Sequence, residues 1–386
     1  VICICPRQGA PCWMVRISMV SDDTIKPPEG DRIATLPIPM RWVGPIRFRG
    51  GLLNEDVRVP LATYEVPLWL SVERGARVSR STDGIAVSVE ACGMTRSVVL
   101  EAPSALRAAA IAAEIRSRER EIAHAGEAGS RYARFQNLHL ETCGPLIFLR
   151  IAMRTGDAAG HNMVTRAAQH VLDWLAVTWP ELRPISVSGN YCVDKKVSAI
   201  NGVLGRGWRA VAELTVNRDC CRRVLKVEPE SIAELNLRKN LIGSHLAGSI
   251  RSANAHFANM LLAVYLATGQ DAANIVEGSQ GTTLAWARDG VLHFSVTLPN
   301  VIVGTVGAGK DRTPVVEHLR QLGCLEERPA GENARRLAAI VAGVVLCGEL
   351  SLLAALATPG ELVRAHLAIE RRSSGRAPNC AQEGQP

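Results

Sequence analysis

The most chemically informative segment of this 386-residue chain is a compact polar loop, Ser188-Gly-Asn190-Tyr-Cys-Val-Asp194-Lys195-Lys196. Two lysines directly after an aspartate are usually part of a solvated surface. Here, however, little other charge lies nearby in the sequence. A buried lysine beside an aspartate can stay charged and donate to an oxyanion that develops during a reaction. The segment therefore predicts either a solvated face or a site that stabilises negative charge.

Three other titratable residues are candidates for proton transfer. Glu65 is a lone carboxylate in an apolar run, where burial without a partner is costly and raises the pKa, which makes it a candidate acid. Asp271 follows Gly269-Gln270 at a predicted helix end and is a weaker candidate of the same kind. His366 lies on a late predicted helix, where a lone histidine is more often a surface residue than a catalyst.

A glycine-rich segment, Gly304-Thr-Val-Gly307-Ala-Gly309-Lys310, follows a predicted strand and precedes a predicted helix. Glycines let backbone N–H groups approach a phosphate, and a helix N-terminus favours negative charge. The segment nearly matches a P-loop, but Asp311 stands where Ser or Thr would bind magnesium. A nucleotide-phosphate loop and a tight structural turn both fit this pattern, whereas a working P-loop does not.

A second glycine-containing turn, Gly156-Asp157-Ala158-Ala159-Gly160-His161-Asn162, opens a predicted helix. Asp157 is either the N-cap of that helix or part of a dinucleotide cradle, in which Gly160 allows close approach. Ser130-Arg131-Tyr132 lies nearby in the predicted fold. Arg131 there is either a solvated arginine or a bidentate phosphate ligand.

The elements around these segments predict an α+β fold. Residues 97–187 contain strand, helix, strand, strand, helix and strand patterns in that order, the βαββαβ arrangement of a ferredoxin-like domain. The expected strands are 97–100, 132–140, 146–153 and 185–187, and the expected helices are 105–125 and 162–179.

This small domain is expected as an insertion in a large, mainly helical domain made of residues 31–96 and 188–372. The sequence predicts strands and turns in 31–96, helices in 228–276, and a central buried helix in 337–357, where Glu349 interrupts the apolar run. Residues 1–30 and 373–386 are expected to be poorly ordered arms.

Composition narrows the function classes. The formal net charge is +7, but the basic residues are spread along the chain, which favours a phosphate-bearing small molecule over nucleic acid. Eleven cysteines without framework or zinc spacing indicate free thiols in the cytoplasm and no metal site. Charges interrupt the first 30 residues, so we expect no signal peptide. Glu349 interrupts the longest apolar run, so we expect no membrane span.

Taken together, several long motifs between about residues 36 and 371 resemble the hydroxymethylglutaryl-CoA (HMG-CoA) reductase family. The pattern is more similar to the eukaryotic-type class, without its membrane anchor, than to the second bacterial class. The Ser188–Lys196 loop is the most specific of them. The others are Asn240-Leu-Ile-Gly-Ser-His-Leu-Ala-Gly248, Gly269-Gln-Asp-Ala-Ala273, Gly331-Glu-Asn-Ala-Arg335 and Cys347-Gly-Glu-Leu-Ser-Leu352.

The resemblance implies reduction of HMG-CoA to mevalonate and CoA with two NADPH or NADH. It implies that Lys195 polarises the carbonyl, Glu65 protonates that oxygen, Asp271 links the two, and His366 protonates the departing CoA thiolate. The substrate residues that it implies are Arg96, Ser188, Asn190, Asp194, Lys196, Lys239, Asn259, Ser71, Arg74 and Arg77. The cofactor residues are Ser130, Arg131, Tyr132, Asp157, Ala158, Ala159, Gly160, His161, Asn162, Val306, Gly307 and Gly309.

The resemblance also implies a homodimer or higher homo-oligomer with active sites between subunits. The chain departs from the family at Ala159 and His161, where methionines are usual, and at Tyr132, where phenylalanine is usual, so either nicotinamide cofactor is possible. The acidic dimer motif is replaced by residues 31–35, and Arg372 replaces a serine that is phosphorylated in animal enzymes.

Three alternatives differ in function. The same enzyme could run oxidatively to degrade mevalonate. A P-loop nucleotide hydrolase would be built on Gly304–Lys310, and magnesium-dependent ATP hydrolysis would reveal it. A non-catalytic anion- or nucleic-acid-binding module would show steep salt dependence.

Overall fold

A computed structural model describes residues 36–361 together with Val363 and Arg364. The nine strands of this part are β1 Met40–Gly51, β2 Asp56–Ala62, β3 Ile85–Glu101, β4 Arg134–Cys143, β5 Leu146–Arg154, β6 Arg183–Ser186, β7 Gly207–Asn217, β8 Thr282–Arg288 and β9 Val291–Val301.

Its helices are α1 Val66–Arg80, α2 Ala105–Ser117, α3 Glu119–Glu127, α4 His161–Thr178, α5 Ala199–Leu204, α6 Arg218–Cys220, α7 Pro229–Leu235, α8 Ser244–Leu246, α9 Phe257–Ala267, α10 Ile275–Gly278, α11 Thr313–Gln321 and α12 Glu332–Ala357. Cys221–Leu225 and Asn236–Gly243 are π-helical, and Ala272–Asn274 is a 3₁₀ turn.

The strands form one curled sheet in a mixed α/β fold. Its main path runs β2-β1-β3-β7-β9-β8. The long strand β3 joins two parts of this sheet, because its first half pairs with β7 and its second half pairs with β5 and β6. With β4 beside β5, the second part has the order β4-β5-β3-β6, and all its neighbours are antiparallel.

Each part of the sheet buries its own apolar cluster. Side chains of β3, β4 and β5 pack against α2, α3 and α4 in one cluster. The other cluster is formed by β1, β2, β7 and β9 with α1, α9 and α12. The helices and strands expected within 97–187 are present, with two differences: β3 begins at Ile85, twelve residues before the expected strand 97–100, and the expected helix 105–125 is two helices that meet at Arg118.

The prediction that residues 31–96 contain only strands and turns is wrong. Helix α1 lies in that range, because Pro67 suits a first helical turn and the following residues are good helix formers. The remainder is also less helical than predicted, since six strands form the main path of its sheet. Helices do fill much of 228–276, as the sequence indicated.

Helix α12 is the centre of the larger cluster. Among the described residues it is the one helix long and apolar enough to cross a membrane, and 94% of its most apolar window is buried inside the fold. Glu349, fully buried, accepts hydrogen bonds from the backbone N–H groups of Ala255 at 3.0 Å and His256 at 2.6 Å. This carboxylate thereby fixes the start of α9, and the predicted buried core helix is confirmed.

Close packing of α1 on α12 depends on one glycine. A Cβ added at Gly75 would lie 2.2 Å from the backbone oxygen of Cys347, so any larger residue would push the two helices apart. Helix α1 is therefore held firmly, and its N-terminal turn presents Glu65 at a fixed position.

Candidate active site

The loop 188–196 follows β6 and is shaped by unusual backbone conformations. Asn190, Val193 and Lys195 have φ values of 60°, 47° and 56°, in the left-handed region that side chains normally avoid. The side-chain amide of Asn201 donates to the carbonyl of Val193 at 2.9 Å and supports the turn. The sequence marks this loop as a candidate site, but no sequence pattern indicates its left-handed backbone conformations.

The ammonium group of Lys195 and the carboxylate of Asp271 form an ion pair at 2.6 Å. The hydrogen bond to Asp271 raises the pKa of Lys195. Partial burial alone would raise the pKa of Asp271, but the hydrogen bonds from Lys195 and the Ala273 N–H lower it overall. Both groups are therefore charged at neutral pH, and Asp271 holds the positively charged Lys195 ammonium in place.

Lys195 is more exposed than its sequence context suggested. Its side chain is 39% exposed, so the interpretation of a buried lysine is wrong for a single chain. Glu65 is also exposed rather than buried, because it lies just before α1 at the protein surface. The carboxylate of Glu65 accepts a hydrogen bond from the side-chain amide of Asn259 at 2.8 Å.

Within the described residues, no hydrogen bond or ion pair joins the Lys195–Asp271 pair to the Glu65–Asn259 pair. The structure thus gathers the predicted catalytic residues into two clusters. The fourth candidate, His366, lies outside the described residues.

A cavity of about 480 Å³ opens beside Glu65 and Asn259. It is also lined by Ser71, Arg74 and Arg77 of α1, the residues predicted to contact CoA. The guanidinium of Arg74 bonds Glu361 at 2.6 Å and the Ser351 hydroxyl at 2.9 Å, so its position is fixed by the end of α12 and the residues after it. The cavity is large enough for a small ligand group, and its wall carries both cations and carboxylates: Arg74 and Arg77 with Glu65, Glu73 and Glu361.

Two other predicted substrate residues, Arg96 and Lys196, lie close to Asp194. The guanidinium of Arg96 lies 3.8 Å from its carboxylate, and Arg96 also donates to the Thr165 hydroxyl at 3.0 Å. The ammonium of Lys196 donates to the Asp194 carbonyl at 3.1 Å. Ser188, Asn190, Lys196 and Lys239 are exposed, and Lys239 bonds its neighbour Asn240 at 3.3 Å.

The two glycine-containing loops meet. Ala158 and Val306 form a parallel β-bridge, and the Thr305 N–H donates to the Asp157 carbonyl at 2.7 Å. A Cβ added at Gly304 would lie 2.3 Å from the Ala159 nitrogen, so glycine is required for this approach. Gly307 and Gly309 follow with φ values of 101° and 82° and lead the loop away from the bridge.

The carboxylate of Asp157 caps a different helix from the one the sequence indicated. It accepts hydrogen bonds from the N–H groups of Gly331 at 3.1 Å and Ala334 at 2.9 Å, at the start of α12. Helix α4 instead has Gly160 as its N-cap, with a φ of 90° and no capping hydrogen bond from a side chain. Asp157 therefore ties the loop 156–162 to the central helix α12.

Another predicted cofactor segment, Ser130-Arg131-Tyr132, lies beside the first turns of α4. Ser130 accepts hydrogen bonds from the Tyr132 and Ala133 N–H groups at 3.2 and 3.0 Å, and the Arg131 guanidinium lies over the Tyr132 ring. Ser130 also lines a small cavity with Arg166 of α4. Arg131, Tyr132 and Asn162 are exposed and are accessible to a ligand.

His161 connects the loop 156–162 with the loop 188–196. Its Nε2 lies 3.9 Å from the Asp194 carboxylate. Burial and the nearby Arg206 guanidinium lower the pKa of His161. The imidazole is therefore mainly neutral at pH 7.

Lys310 does not project into an anion site. Its ammonium donates to the carbonyl of Gly269, next to the turn that carries Asp271, and burial lowers its pKa to about 8. Gln270 joins the same two segments, bonding the Gly304 N–H at 2.9 Å and the Gly304 carbonyl at 3.0 Å. The loop 304–310 is thus held against the turn of Asp271.

Sequence reasoning missed two buried charges behind the catalytic loop, Arg206 and Glu277, neither of which is exposed. Their charged groups lie 2.7 Å apart. Neither belongs to a motif, and 71 positions separate them in the chain, so only the fold brings them together.

The turn of Asp271 is bonded to the loop 304–310, and that loop pairs with the loop 156–162, so the segments predicted for catalysis and for cofactor binding are connected. The family model for hydroxymethylglutaryl-coenzyme A reductase matches residues 31–371, and the chain belongs to this family. The resemblance found in the sequence is confirmed.

Relatives with established names carry the name of the same family. The chain is 41% identical to a 3-hydroxy-3-methylglutaryl-coenzyme A reductase of Phycomyces blakesleeanus, across 91% of this chain and 30% of that protein. It is 40% identical to the enzyme of the same name from Aeropyrum pernix, across 88% of this chain and 80% of that protein. The chain therefore spans less than a third of the first relative and most of the second.

A solved structure has a similar fold. The class II reductase from Streptococcus pneumoniae, bound to NADPH in open conformations, superposes with a TM-score of 0.67 and 18% identity, across 85% of this chain and 87% of that one. At this identity the likeness concerns the fold.

Proposed function

We propose that the protein catalyses the four-electron reduction of HMG-CoA to mevalonate and CoA, using two molecules of NADPH or NADH. The observation that carries this proposal is the Lys195–Asp271 ion pair, held at 2.6 Å on the most family-specific loop of the chain. The names of the relatives from Phycomyces blakesleeanus and Aeropyrum pernix support the substrate. NADPH bound to the Streptococcus pneumoniae structure supports the cofactor class.

The nicotinamide cofactor supplies the hydride, and the residues of this chain stabilise the charge that results. The Lys195 ammonium donates to the thioester oxygen as negative charge develops there, a contact that is stronger in the transition state than in the ground state. Asp271 keeps Lys195 charged and oriented. Glu65 is the acid that protonates the oxygen, and Asn259 holds its carboxyl group at 2.8 Å.

The acyl and CoA parts of the substrate would occupy two different regions. Arg96, Lys196 and Lys239 supply positive charge for the free carboxylate, together with the polar Ser188 and Asn190. Arg74 and Arg77, with Ser71 beside them, suit the phosphates of CoA in the cavity beside Glu65. His366 would protonate the CoA thiolate, a role that rests on the family resemblance.

Residues 97–187 would be a ferredoxin-like cofactor domain inserted in a large domain of residues 31–96 and 188–372. The strand order β4-β5-β3-β6 and a separate apolar cluster support this division. The bridge between Ala158 and Val306 fits a dinucleotide because it places exposed backbone of two glycine loops side by side. Ser130 and Arg131 would bind the phosphate end.

We further propose a homodimer whose active sites lie between subunits. The separation of the Glu65 cluster from the Lys195 cluster, and the exposure of both residues, support a second copy that completes each site. Co-expressed Lys195→Ala and Glu65→Gln chains would then regain roughly a quarter of wild-type activity, because half the dimers are mixed and each has one intact site of two. Activity no higher than that of the single variants would contradict shared sites.

A cytoplasmic location fits the chain. All seven cysteines in the described part, including Cys92 and Cys143, are free thiols, which is typical of a reducing compartment.

The direct test uses purified protein with HMG-CoA and either NADPH or NADH, and follows absorbance at the nicotinamide band. Oxidation that depends on the CoA ester supports the proposal, and the faster cofactor identifies the preference. The reverse assay, with mevalonate, CoA and oxidised cofactor, measures whether the degradative direction is faster. Folded protein without activity in either direction would refute the proposal.

A further inference from the structure

The catalytic loop has conformations that must be imposed by its surroundings. Val193 is β-branched and has a φ of 47°, which is rare for this residue type, and Lys195 follows at 56°. Such conformations persist only where other contacts over-determine them. The contacts that reach this loop from the protein interior are therefore important for the position of the Lys195 ammonium.

Glu277 contacts the backbone of the reacting lysine directly. One oxygen of its carboxylate accepts hydrogen bonds from the backbone N–H of Lys195 at 3.1 Å and from the side-chain amide of Asn274 at 2.9 Å. The same oxygen lies 2.7 Å from the guanidinium of Arg206. A single buried oxygen thus connects the Lys195 backbone to a cation and to the segment after Asp271.

Arg206 extends this network to the preceding loop residue. Its guanidinium lies 2.9 Å from the carboxylate of Asp194 and donates to the Thr95 hydroxyl at 3.1 Å. Arg206 and Glu277 are fully buried, so neither can satisfy its charge with bulk water. Each charged group therefore needs the other as its partner. Together they contact the loop at Asp194, through Arg206, and at Lys195, through Glu277.

We propose that Glu277, acting through its contacts with Arg206 and the Lys195 backbone, is a positioning residue that holds the catalytic lysine in its left-handed conformation toward Asp271. This role rests on the proposed reductase function of Lys195. Glu277 does not touch the substrate; it fixes the backbone from which the ammonium extends. Replacing the carboxylate with a neutral amide weakens the hydrogen bond from the Lys195 N–H and leaves Asp194 as the carboxylate that faces Arg206.

The test compares Glu277→Gln with wild type in two ways. In the reductase assay, kcat falls about 10- to 100-fold while KM for the nicotinamide cofactor changes little, because a misplaced catalytic group affects the chemical step. In limited trypsin digestion, cleavage after Lys195 and Lys196 becomes faster, measured by mass spectrometry of the fragments. Glu55→Gln, which breaks the 2.5 Å ion pair of Glu55 with Arg336, is the matched control and changes neither result.

A double variant separates positioning from stability. Arg206→Met combined with Glu277→Leu removes both buried charges, and such replacements often preserve the fold. A urea midpoint near wild type with a low kcat and rapid trypsin cleavage supports the positioning role. Wild-type kcat and wild-type cleavage in Glu277→Gln would overturn it. If wild type lacks reductase activity, the proposed function fails, but the trypsin comparison still decides whether Glu277 holds the loop.

Discussion

Replacing Lys195 with alanine gives the sharpest separation between activity and stability. The Lys195 side chain is 39% exposed and that of Asp271 is 42% exposed, so their ion pair contributes less than about 1 kcal/mol to the free energy of unfolding. A positioned donor to a developing oxyanion, in contrast, contributes about 3–4 kcal/mol to catalysis, or roughly 10²- to 10³-fold in kcat. We therefore expect a large loss of turnover with almost no change in stability.

The assay measures HMG-CoA-dependent oxidation of the nicotinamide cofactor together with the urea midpoint of each protein. Arg288→Ala is the control, because it removes a cation from another exposed ion pair, with Asp289, in which both side chains are more than 80% exposed. That variant keeps wild-type kcat. If Lys195→Ala retained more than about a tenth of wild-type kcat, Lys195 would not be the group that stabilises the oxyanion.

Three further predictions follow from contacts of the structure. Asp157→Ala removes the cap on the Gly331 and Ala334 N–H groups and lowers the free energy of unfolding by about 1–2 kcal/mol in urea titration, whereas an unchanged midpoint would show that the cap is unimportant. Arg74→Ala raises KM for HMG-CoA about 10-fold without changing that for the cofactor in initial-rate assays, and equal effects on both would contradict a CoA site. Burial lowers the pKa of Lys310 to about 8 from 10.5, so the unfolded chain binds the proton more tightly and the free energy of unfolding rises with pH between these two values. Lys310→Met removes this rise, which is measured as the difference between the urea midpoints at pH 7.5 and pH 10. A rise that persists in the variant would contradict the burial of this amine.

Motifs with local character could be predicted from the sequence. The strands and helices of 97–187 follow from short apolar patterns and turn residues, and the catalytic loop stands out by its concentration of polar groups. The buried character of α12 follows from its apolar run and from Glu349, whose charge needs partners inside a protein.

Long-range contacts could not be predicted in the same way. The pairing of Arg206 with Glu277, and the capping of α12 by Asp157, join segments that are distant in sequence. Neither leaves a local pattern. The exposure of Glu65 was mispredicted for a related reason, since an apolar run indicates burial but does not show where a helix begins at the surface. Helix α1 was missed because the Pro and Gly residues around it suggested turns.

The stoichiometry of the reaction tests the central claim most directly. Wild-type protein is incubated with a limiting amount of HMG-CoA and excess cofactor, and oxidised nicotinamide and free CoA thiol are measured in the same sample. A four-electron reduction requires two cofactor molecules oxidised for each thiol released, with mevalonate as the other product. Thiol release without cofactor oxidation would show thioester hydrolysis, and cofactor oxidation without thiol release would show a different reduction; either result would contradict assignment of the Lys195–Asp271 site to this reaction.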